Sequence, residues 1–164
     1  MKIAIISDIH DNIVNLKKCL SYCAKNNIEK IFCCGDITNS ETLKFLADNF
    51  KKEIYLVRGN MEIFTDEEPE KYKNIIYSGR IARFELEGKK IGLCHEPFLL
   101  DYVLKKSECD MIFYGHTHKP WIEKKNGYLF INPGTLGGVF QKATFAVWDP
   151  EKQEPELKIL ERID

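Results

Sequence analysis

The first third of the chain alternates between two hydrophobic patterns. Residues 2–7, 30–34 and 53–57 are apolar or β-branched runs of strand length, whereas residues 12–26 repeat apolar side chains at helical spacing. A second helical stretch begins at Ser40, which is the predicted N-cap of that helix. Strands separated by helices predict parallel βαβ units whose strands share one sheet.

After about residue 73 the pattern changes to one typical of antiparallel structure. Glu87-Gly88 and Asn126-Gly127 each separate two apolar runs, so the sequence predicts two β-hairpins. Their strands are predicted at 81–86 and 90–93 and at 121–124 and 128–131. The other expectations are a solvated loop at 65–73, a helix at 97–106, a buried strand at 110–114, and an antiparallel pair at 143–148 and 156–160. Together these elements predict a layered α/β fold.

Composition narrows the class of protein. The chain has 164 residues, 44% hydrophobic and 30% charged, which fits one globular domain at residues 1–164. The formal net charge of −1 gives no general basic excess of the kind found in proteins that bind nucleic-acid backbones. No apolar run reaches the ~20 residues of a membrane helix. The six cysteines form no C-x-x-C pair and are expected to be buried, reduced thiols of a cytoplasmic protein.

Side chains that can bind metal ions follow five of the predicted strands. Ligand sites in open α/β sheets lie beyond the carboxyl ends of the strands, so we expect these side chains to meet at one edge. All four histidines of the chain are among them, and clustered His and Asp at such spacing indicate a metal site. The seven residues are Asp8, His10, Asp36, Asn60, His95, His116 and His118.

Seven ligands suit two metal ions better than one tetrahedral zinc ion. Asp36 is the natural bridging carboxylate, because both of its oxygens can bind an ion. Asp8 and His10 lie two residues apart, so in extended backbone both side chains should point at one centre. The same spacing makes the same prediction for His116 and His118. Mixed nitrogen and oxygen ligands favour manganese, iron, nickel, zinc or cobalt.

The charge of such a site predicts its chemistry. Two divalent ions beside two aspartates leave a positive charge, which a bridging hydroxide reduces but does not cancel. This charge would attract a phosphate ester and stabilise its transition state, and the ions would supply hydroxide near neutral pH. The residues therefore predict metal-dependent hydrolysis of phosphoesters.

Other catalytic classes find little support. The sequence contains no G-x-G-x-x-G, P-loop or G-x-S-x-G motif. Cys94 beside His95 leaves a thiol nucleophile as an alternative. A strand at this position would, however, point the Cys94 side chain to the face opposite His95.

A series of short motifs runs from residue 8 to residue 135. They are Asp8-Ile9-His10, Gly35-Asp36, Gly59-Asn60, His95, Gly115-His116-Thr117-His118 and Asn132-Pro133-Gly134-Thr135. In this order they resemble the calcineurin-like metallophosphoesterases, and most closely their small, single-domain phosphodiesterase branch. The resemblance implies an α/β fold of four layers, an α/β/β/α sandwich of two mixed β-sheets flanked by helices.

The resemblance also implies a role for each residue. One metal ion would be held by Asp8, His10, Asp36 and His118, and the other by Asp36, Asn60, His95 and His116. Catalysis would fall to the second set, with Asn60 also near the bound phosphate. The small branch often uses manganese or nickel. We therefore expect two divalent transition-metal ions, Mn²⁺ or Ni²⁺ first and Zn²⁺, Fe²⁺ or Co²⁺ as alternatives, with a bridging hydroxide that attacks a phosphodiester.

Some positions depart from the family pattern. Met61 stands where many members carry a histidine that protonates the leaving group, and Glu62 is expected to be exposed and ionised. Asp11 and Glu96 stand where glycines often occur, and Asn39 replaces an aspartate. Solvent is the commonest surrounding of a glutamate side chain, and this is the expectation for Glu96.

The favoured function is a phosphodiesterase acting on a small phosphate ester. One alternative is a nuclease of the same family, which the charge does not indicate. Another is a non-catalytic interaction scaffold, since a retromer subunit with degraded metal positions resembles this fold; here all seven ligand positions are intact. No membrane partner is expected, and the natural substrate and the formation of a homo-oligomer stay open.

Phe98, Tyr102 and Trp121 would line a substrate pocket or, as aromatic residues at such spacing more often do, belong to the core.

Overall fold

The computed structural model describes residues 1–106, 108–152 and 154–163. A first sheet contains β1 (Ile3–Ile6), β2 (Lys30–Cys33), β3 (Glu53–Leu56), β4 (Ile75–Tyr77), β10 (Thr144–Trp148) and β11 (Glu156–Ile159). Its strand order is β11-β10-β1-β2-β3-β4. β1 to β4 run parallel, and β10 is antiparallel to both β1 and β11. The parallel part carries the predicted βαβ units.

The second sheet contains β5 (Ile81–Leu86), β6 (Lys89–Cys94), β7 (Met111–Phe113), β8 (Trp121–Lys125) and β9 (Tyr128–Asn132). Its order is β5-β6-β7-β9-β8, with β6, β7 and β9 parallel and the two edge strands antiparallel to their neighbours. Both predicted hairpins are confirmed. Their turns have positive φ at Glu87, Gly88, Asn126 and Gly127, as type I′ turns require.

Among the described residues, three α-helices complete the layers: α1 (Ile13–Lys25), α2 (Ser40–Asn49) and α3 (Leu100–Lys106). In β1, Ala4 and Ile6 belong to the core under α1 and α2, whereas Ile3 and Ile5 belong to the core between the sheets. This alternation is the two-residue period of a strand that is covered on both faces. A third apolar cluster packs α3 against the second sheet. The predicted four-layer sandwich of two mixed sheets is confirmed.

Some element boundaries differ from the prediction. β4 is a three-residue strand that was not predicted, because its short Ile-Ile-Tyr run follows a polar loop and carries no period. The N-cap of α2 is Asn39, whose side chain accepts the Thr42 N–H at 2.8 Å; Ser40 is already inside the helix. The predicted helix 97–106 begins as a 3₁₀ turn at Pro97–Leu99 and becomes α-helical only from Leu100.

Two general expectations can be compared with the fold. All six cysteines are buried, as predicted. Within the part of the chain that the structure describes, no helix combines the length and apolar character needed to cross a membrane.

Candidate metal centre

The strands bring their carboxyl ends to one edge of the sandwich. β1, β2 and β3 are neighbours in the first sheet, and β6 and β7 are neighbours in the second. The Asp8 N–H donates to the Gly35 carbonyl, and the Gly115 N–H donates to the His95 carbonyl, both at 3.0 Å. The His116 N–H donates to Asp8 Oδ2 at 3.0 Å, which links the two sheets. All seven predicted side chains lie on the loops at this edge.

The loops turn sharply where the strands end. Residues other than glycine seldom adopt a left-handed backbone, and when they do they concentrate at functional sites. Five of the seven predicted residues have this conformation, with φ of +53° at Asp8, +46° at His10, +55° at Asp36, +68° at His116 and +59° at His118. The expected extended backbone at these pairs is therefore wrong.

The turns change which side chains meet. Asp8 Oδ1 and His10 Nε2 lie 3.6 Å apart, so this pair does converge. His118 Nε2 lies 3.1 Å from His10 Nε2, but His116 Nδ1 lies 2.9 Å from Asn60 Oδ1. The prediction that His116 and His118 point at one centre is wrong, since the two side chains contact different neighbours, although the Asp8 and His10 pair converges with the same left-handed backbone.

A first cluster contains Asp8, His10, Asp36 and His118. The His118 Nε2 atom lies 3.1 Å from Asp8 Oδ1, and His10 Nε2 lies 3.8 Å from Asp36 Oδ2. One ligand atom from each of Asp8, His10 and His118 lies within 4.8 Å of the other two. The aspartates are buried and the two histidines are partly exposed.

A second cluster contains Asp36, Asn60, His95 and His116. The His95 Nε2 atom lies 3.2 Å from Asp36 Oδ2 and 3.1 Å from Asn60 Oδ1. Asp8, Asp36 and His95 also form a compact group of ligand atoms. His116 meets the cluster through its contact with Asn60. Asp36 Oδ2 thus lies between His10 of the first cluster and His95 of the second.

These spacings fit metal coordination. Two ligands of one ion, each about 2.0–2.1 Å from it at about 90–109°, lie about 2.8–3.4 Å apart. The closest contacts in the clusters are 2.9 Å for His116 with Asn60, 3.1 Å for His118 with Asp8, for His118 with His10 and for His95 with Asn60, and 3.2 Å for His95 with Asp36. Asp8 Oδ1 is buried and has no hydrogen-bond partner among the described residues. A divalent cation would satisfy that oxygen.

Backbone carbonyls orient two of the histidines. His95 Nδ1 lies 2.7 Å from the Cys34 carbonyl, and His118 Nδ1 lies 3.2 Å from the Val139 carbonyl. Since a carbonyl only accepts, each Nδ1 must donate, so in the neutral imidazole that binds a metal the Nε2 lone pair faces the cluster. Such partners fix the tautomer of a metal-binding histidine and the orientation of its ring.

Asp8 is held in place by contacts that the sequence analysis missed. The Ser7 hydroxyl donates to Asp8 Oδ2 at 2.6 Å, and the Thr135 hydroxyl donates to the Asp8 carbonyl at 2.9 Å. The Ser7 hydroxyl and the His116 N–H both donate to Oδ2 and leave Oδ1 for the cluster, whereas the Thr135 contact holds the Asp8 backbone. A serine before a strand-end aspartate carries no distinctive sequence signal, whereas Thr135 closes the last family motif.

Two glycines allow the loops to approach this closely. A Cβ atom at Gly115 would lie 2.0 Å from Ser7 Oγ and 2.7 Å from Asp8 Oδ2. A Cβ atom at Gly59 would lie 2.1 Å from Asp36 Oδ1. Any larger residue at either position would displace a carboxylate of the site.

The clusters create a strongly negative local potential. Burial lowers the pKa of His95, but its hydrogen bond with Asp36 and the charge of Asp8 outweigh this and raise the pKa to about 9. The nearby Asp8 carboxylate, whose Oδ1 lies 3.6 Å from His10 Nε2, likewise raises the pKa of His10 above its usual value. A potential that stabilises positive charge on histidines also stabilises a bound cation.

Two of the unusual residues support α2. Asp11 has φ of +57°, a conformation in which glycine is favoured. Asp11 Oδ1 accepts the Asn39 N–H at 3.1 Å and the Thr42 hydroxyl at 2.7 Å. Asp11 and the N-cap Asn39 therefore attach the loop after β1 to the start of the helix that follows Asp36.

Glu62 differs from its expectation. It is buried, and its Oε1 accepts the Ile37 N–H at 3.0 Å. Burial raises the pKa of this carboxyl to about 7, so the predicted exposed and fully ionised Glu62 is wrong. The Met61 N–H donates to Asp36 Oδ1 at 2.9 Å, while the Met61 side chain is half exposed.

The end of β6 also corrects one expectation. Glu96 is buried rather than solvent-facing, and its Oε1 accepts from Arg80 Nη2 at 2.7 Å. Its neighbour Cys94 is buried, and burial raises the pKa of the thiol to about 12. A thiol that stays protonated at neutral pH is a poor nucleophile. The alternative of a Cys94 nucleophile therefore finds no support.

The three aromatic side chains singled out in the sequence do not belong to the core. Phe98, Tyr102 and Trp121 are all at least half exposed. Aromatic residues at such spacing are usually buried, but these are not. Phe98 lies in the 3₁₀ turn before α3, Tyr102 lies on α3, and Trp121 lies on the edge strand β8.

Comparison with known proteins adds independent information. A family model for the calcineurin-like phosphoesterase superfamily domain matches residues 1–153. A phosphodiesterase of Methanocaldococcus jannaschii is 30% identical over 167 aligned residues, covering 98% of this chain and 100% of that protein. Vacuolar protein sorting-associated protein 29 of Schizosaccharomyces pombe is 25% identical and covers 98% of this chain and 84% of its own length.

Solved structures show the same architecture. An archaeal phosphodiesterase has 28% sequence identity and a TM-score of 0.87, with 97% of this chain and 99% of that chain covered. A phosphoesterase from Escherichia coli has 20% identity and a TM-score of 0.72, with 98% and 100% covered. The second likeness concerns the fold alone.

Proposed function

Because this chain belongs to the calcineurin-like phosphoesterase superfamily, we propose that it is a phosphodiesterase that uses two divalent metal ions. One observation carries the proposal: Asp36 Oδ2 lies between His10, at 3.8 Å, and His95, at 3.2 Å. A carboxylate oxygen in this position is suited to two neighbouring ions.

The proposed ligand sets are the two clusters. Asp8, His10, Asp36 and His118 would hold one ion, and Asp36, Asn60, His95 and His116 would hold the other. We propose manganese or nickel, with zinc, iron or cobalt as alternatives, since imidazole nitrogen and carboxylate oxygen suit all of these metals. When bound, the ions would polarise the phosphoryl group and lower the pKa of a water molecule.

The exposure of the proposed ligand residues indicates the side from which a substrate would approach. Asp8, Asp36 and His95 are buried, whereas Asn60 and His116 are exposed. A substrate phosphate would therefore approach from the side of Asn60 and His116. Asn60 Oδ1 faces His95 and His116, which leaves the Nδ2 amide free to donate to a phosphoryl oxygen.

The substrate class is a small phosphate ester. The named phosphodiesterase relative supports a diester, and the net charge of −1 does not favour a nucleic acid. A cytoplasmic location is also proposed, in keeping with the buried cysteines.

A second candidate function is a protein-interaction scaffold. The relative named vacuolar protein sorting-associated protein 29 is the observation that favours it. The intact ligand clusters favour the enzyme, because a scaffold needs neither the left-handed turns nor the oriented imidazoles.

The test is a screen of demetallated protein with single divalent metals against nitrophenyl phosphodiesters and monoesters. We expect activity to return with Mn²⁺ or Ni²⁺ and to be highest on a diester. His116→Ala should lower kcat by about 10²-fold or more and leave the circular dichroism spectrum unchanged. Lys124→Ala, at an exposed residue of β8, is the control. Absence of hydrolysis by the wild type with every metal would overturn the proposal in favour of the scaffold.

A further inference from the structure

A short connection joins the two sheets beside the metal centre. The Ser78 N–H donates to the Leu56 carbonyl at 3.1 Å, and the Arg58 N–H donates to the Gly79 carbonyl at 2.7 Å. The next residue, Arg80, leads into β5, whose first residue pairs with the last residue of β6. Arg80 is therefore placed between the strand end that carries Asn60 and the strand end that carries His95.

The Arg80 side chain is held in one orientation. Its Nη2 donates to Glu96 Oε1 at 2.7 Å, and its guanidinium carbon lies 5.6 Å from the centre of the Phe98 ring. The Glu96 side chain is only 7% exposed, whereas the Arg80 side chain is 55% exposed and Phe98 is 62% exposed. The buried carboxylate thus anchors the guanidinium, and both the guanidinium and the Phe98 ring beside it remain open to solvent.

This arrangement favours a particular kind of ligand. An arginine paired with a carboxylate carries little net charge, but its planar face still stacks on aromatic rings. Phe98 adds a second apolar face of the same kind. Met61, which follows Asn60, is half exposed and offers a polarisable thioether that also packs against rings. Each of these groups attracts a flat aromatic ring more than it attracts a small alkyl group.

We propose that Arg80 and Phe98 form a subsite that binds a planar aromatic substituent of the phosphoester, with Glu96 as the residue that positions Arg80. The inference rests on the proposed function, since it supposes that a phosphoryl group binds at the adjacent metal clusters. The inference gives the salt bridge between Arg80 and Glu96 a role in substrate specificity. Without that role, the salt bridge would only connect residues 78–80 to the loop after β6.

The test compares two ligands that hydrolysis cannot consume. Phenylphosphonate and methylphosphonate present the same phosphonate, and calorimetric titration of Mn²⁺-loaded protein gives the ratio of their Kd values. We expect the wild type to bind phenylphosphonate about tenfold more tightly, which is about 1.4 kcal/mol. Phe98→Ala and Arg80→Ala should bring the ratio close to one. Arg80→Lys keeps the positive charge but lacks the planar guanidinium, so it should lose most of the preference.

A matched control lies on α3. Lys105 Nζ lies 4.9 Å from the Tyr102 ring centre, so Tyr102→Ala removes a similar exposed pair that does not contact Glu96. This variant should keep the tenfold ratio.

Several outcomes overturn the subsite. They are equal affinity of the wild type for the two ligands, no measurable affinity for either, an unchanged ratio in Phe98→Ala, or an equal loss of the ratio in Tyr102→Ala. Because the measurement needs no turnover, a chain that binds phenylphosphonate preferentially but hydrolyses nothing would overturn the proposed function and leave the subsite supported.

Discussion

Removal of the Ser7 hydroxyl should weaken metal binding although every ligand is retained. Ser7 Oγ donates to Asp8 Oδ2 at 2.6 Å, and both residues are fully buried. A hydrogen bond to a charged group contributes about 1.5–3 kcal/mol, and loss of a group that orients a ligand typically costs about 10–100-fold in metal affinity. The His116 N–H, at 3.0 Å from the same oxygen, remains in Ser7→Ala. We therefore expect the lower end of that range, about tenfold.

Calorimetric titration of demetallated protein with Mn²⁺ measures this effect. The free energy of unfolding of the metal-free variant, from urea denaturation, should fall by about 1.5–3 kcal/mol, because a buried carboxylate loses a donor. Ser21→Ala is the matched control, since the Ser21 hydroxyl is exposed and donates only to the Lys17 carbonyl. Its metal affinity should equal that of the wild type, and its stability should change by less than about 0.5 kcal/mol.

One result would refute the reasoning on Ser7. If Ser7→Ala binds Mn²⁺ as tightly as Ser21→Ala does, the orientation of Asp8 by Ser7 has no bearing on metal binding. Lower stability with unchanged affinity would reduce Ser7 to a structural residue.

Two further predictions concern the loop that follows β3. Met61→His should raise the rate of hydrolysis of alkyl diesters by about 10²–10⁴-fold, because a thioether cannot protonate an alkoxide leaving group. The rate for nitrophenyl diesters should stay nearly unchanged. A wild-type rate that does not depend on the pKa of the leaving group would contradict this prediction. Gly59→Ala should lower the free energy of unfolding by about 3 kcal/mol or more, since its Cβ would lie 2.1 Å from Asp36 Oδ1. In urea denaturation, Gly127→Ala should cost only the ~1–2 kcal/mol of its left-handed backbone, as its Cβ meets nothing within 4 Å, and equal losses in the two variants would contradict the steric argument.

The sequence predicts the location of the site better than its internal geometry. Parallel strands must present their carboxyl ends at one edge, so any side chain just after such a strand is placed by topology alone. A continuous apolar run indicates those strands well where they are buried on both faces, as β1 is. β4 escaped prediction because three residues carry no measurable period.

The contacts within the site depend on features that local sequence does not carry. Left-handed φ at residues such as His10 and His116 is imposed by the surrounding structure against the intrinsic preference of these residues. The two-residue spacing alone therefore does not show that the Asp8 and His10 side chains meet while those of His116 and His118 do not. Glu96 is buried because Arg80, 16 residues away, reaches it, and no pattern in the sequence couples the two positions.

The number of metal ions bound per chain tests the central claim most directly. Demetallated protein is saturated with Mn²⁺ or Ni²⁺, freed of unbound metal and analysed for metal content, alongside Asp36→Asn with its fold checked by circular dichroism. The account predicts two ions per wild-type chain and at most one in Asp36→Asn, because Asp36 Oδ2 faces both His10 and His95. A wild-type chain that never binds more than one ion, or an Asp36→Asn chain that still binds two, would contradict it.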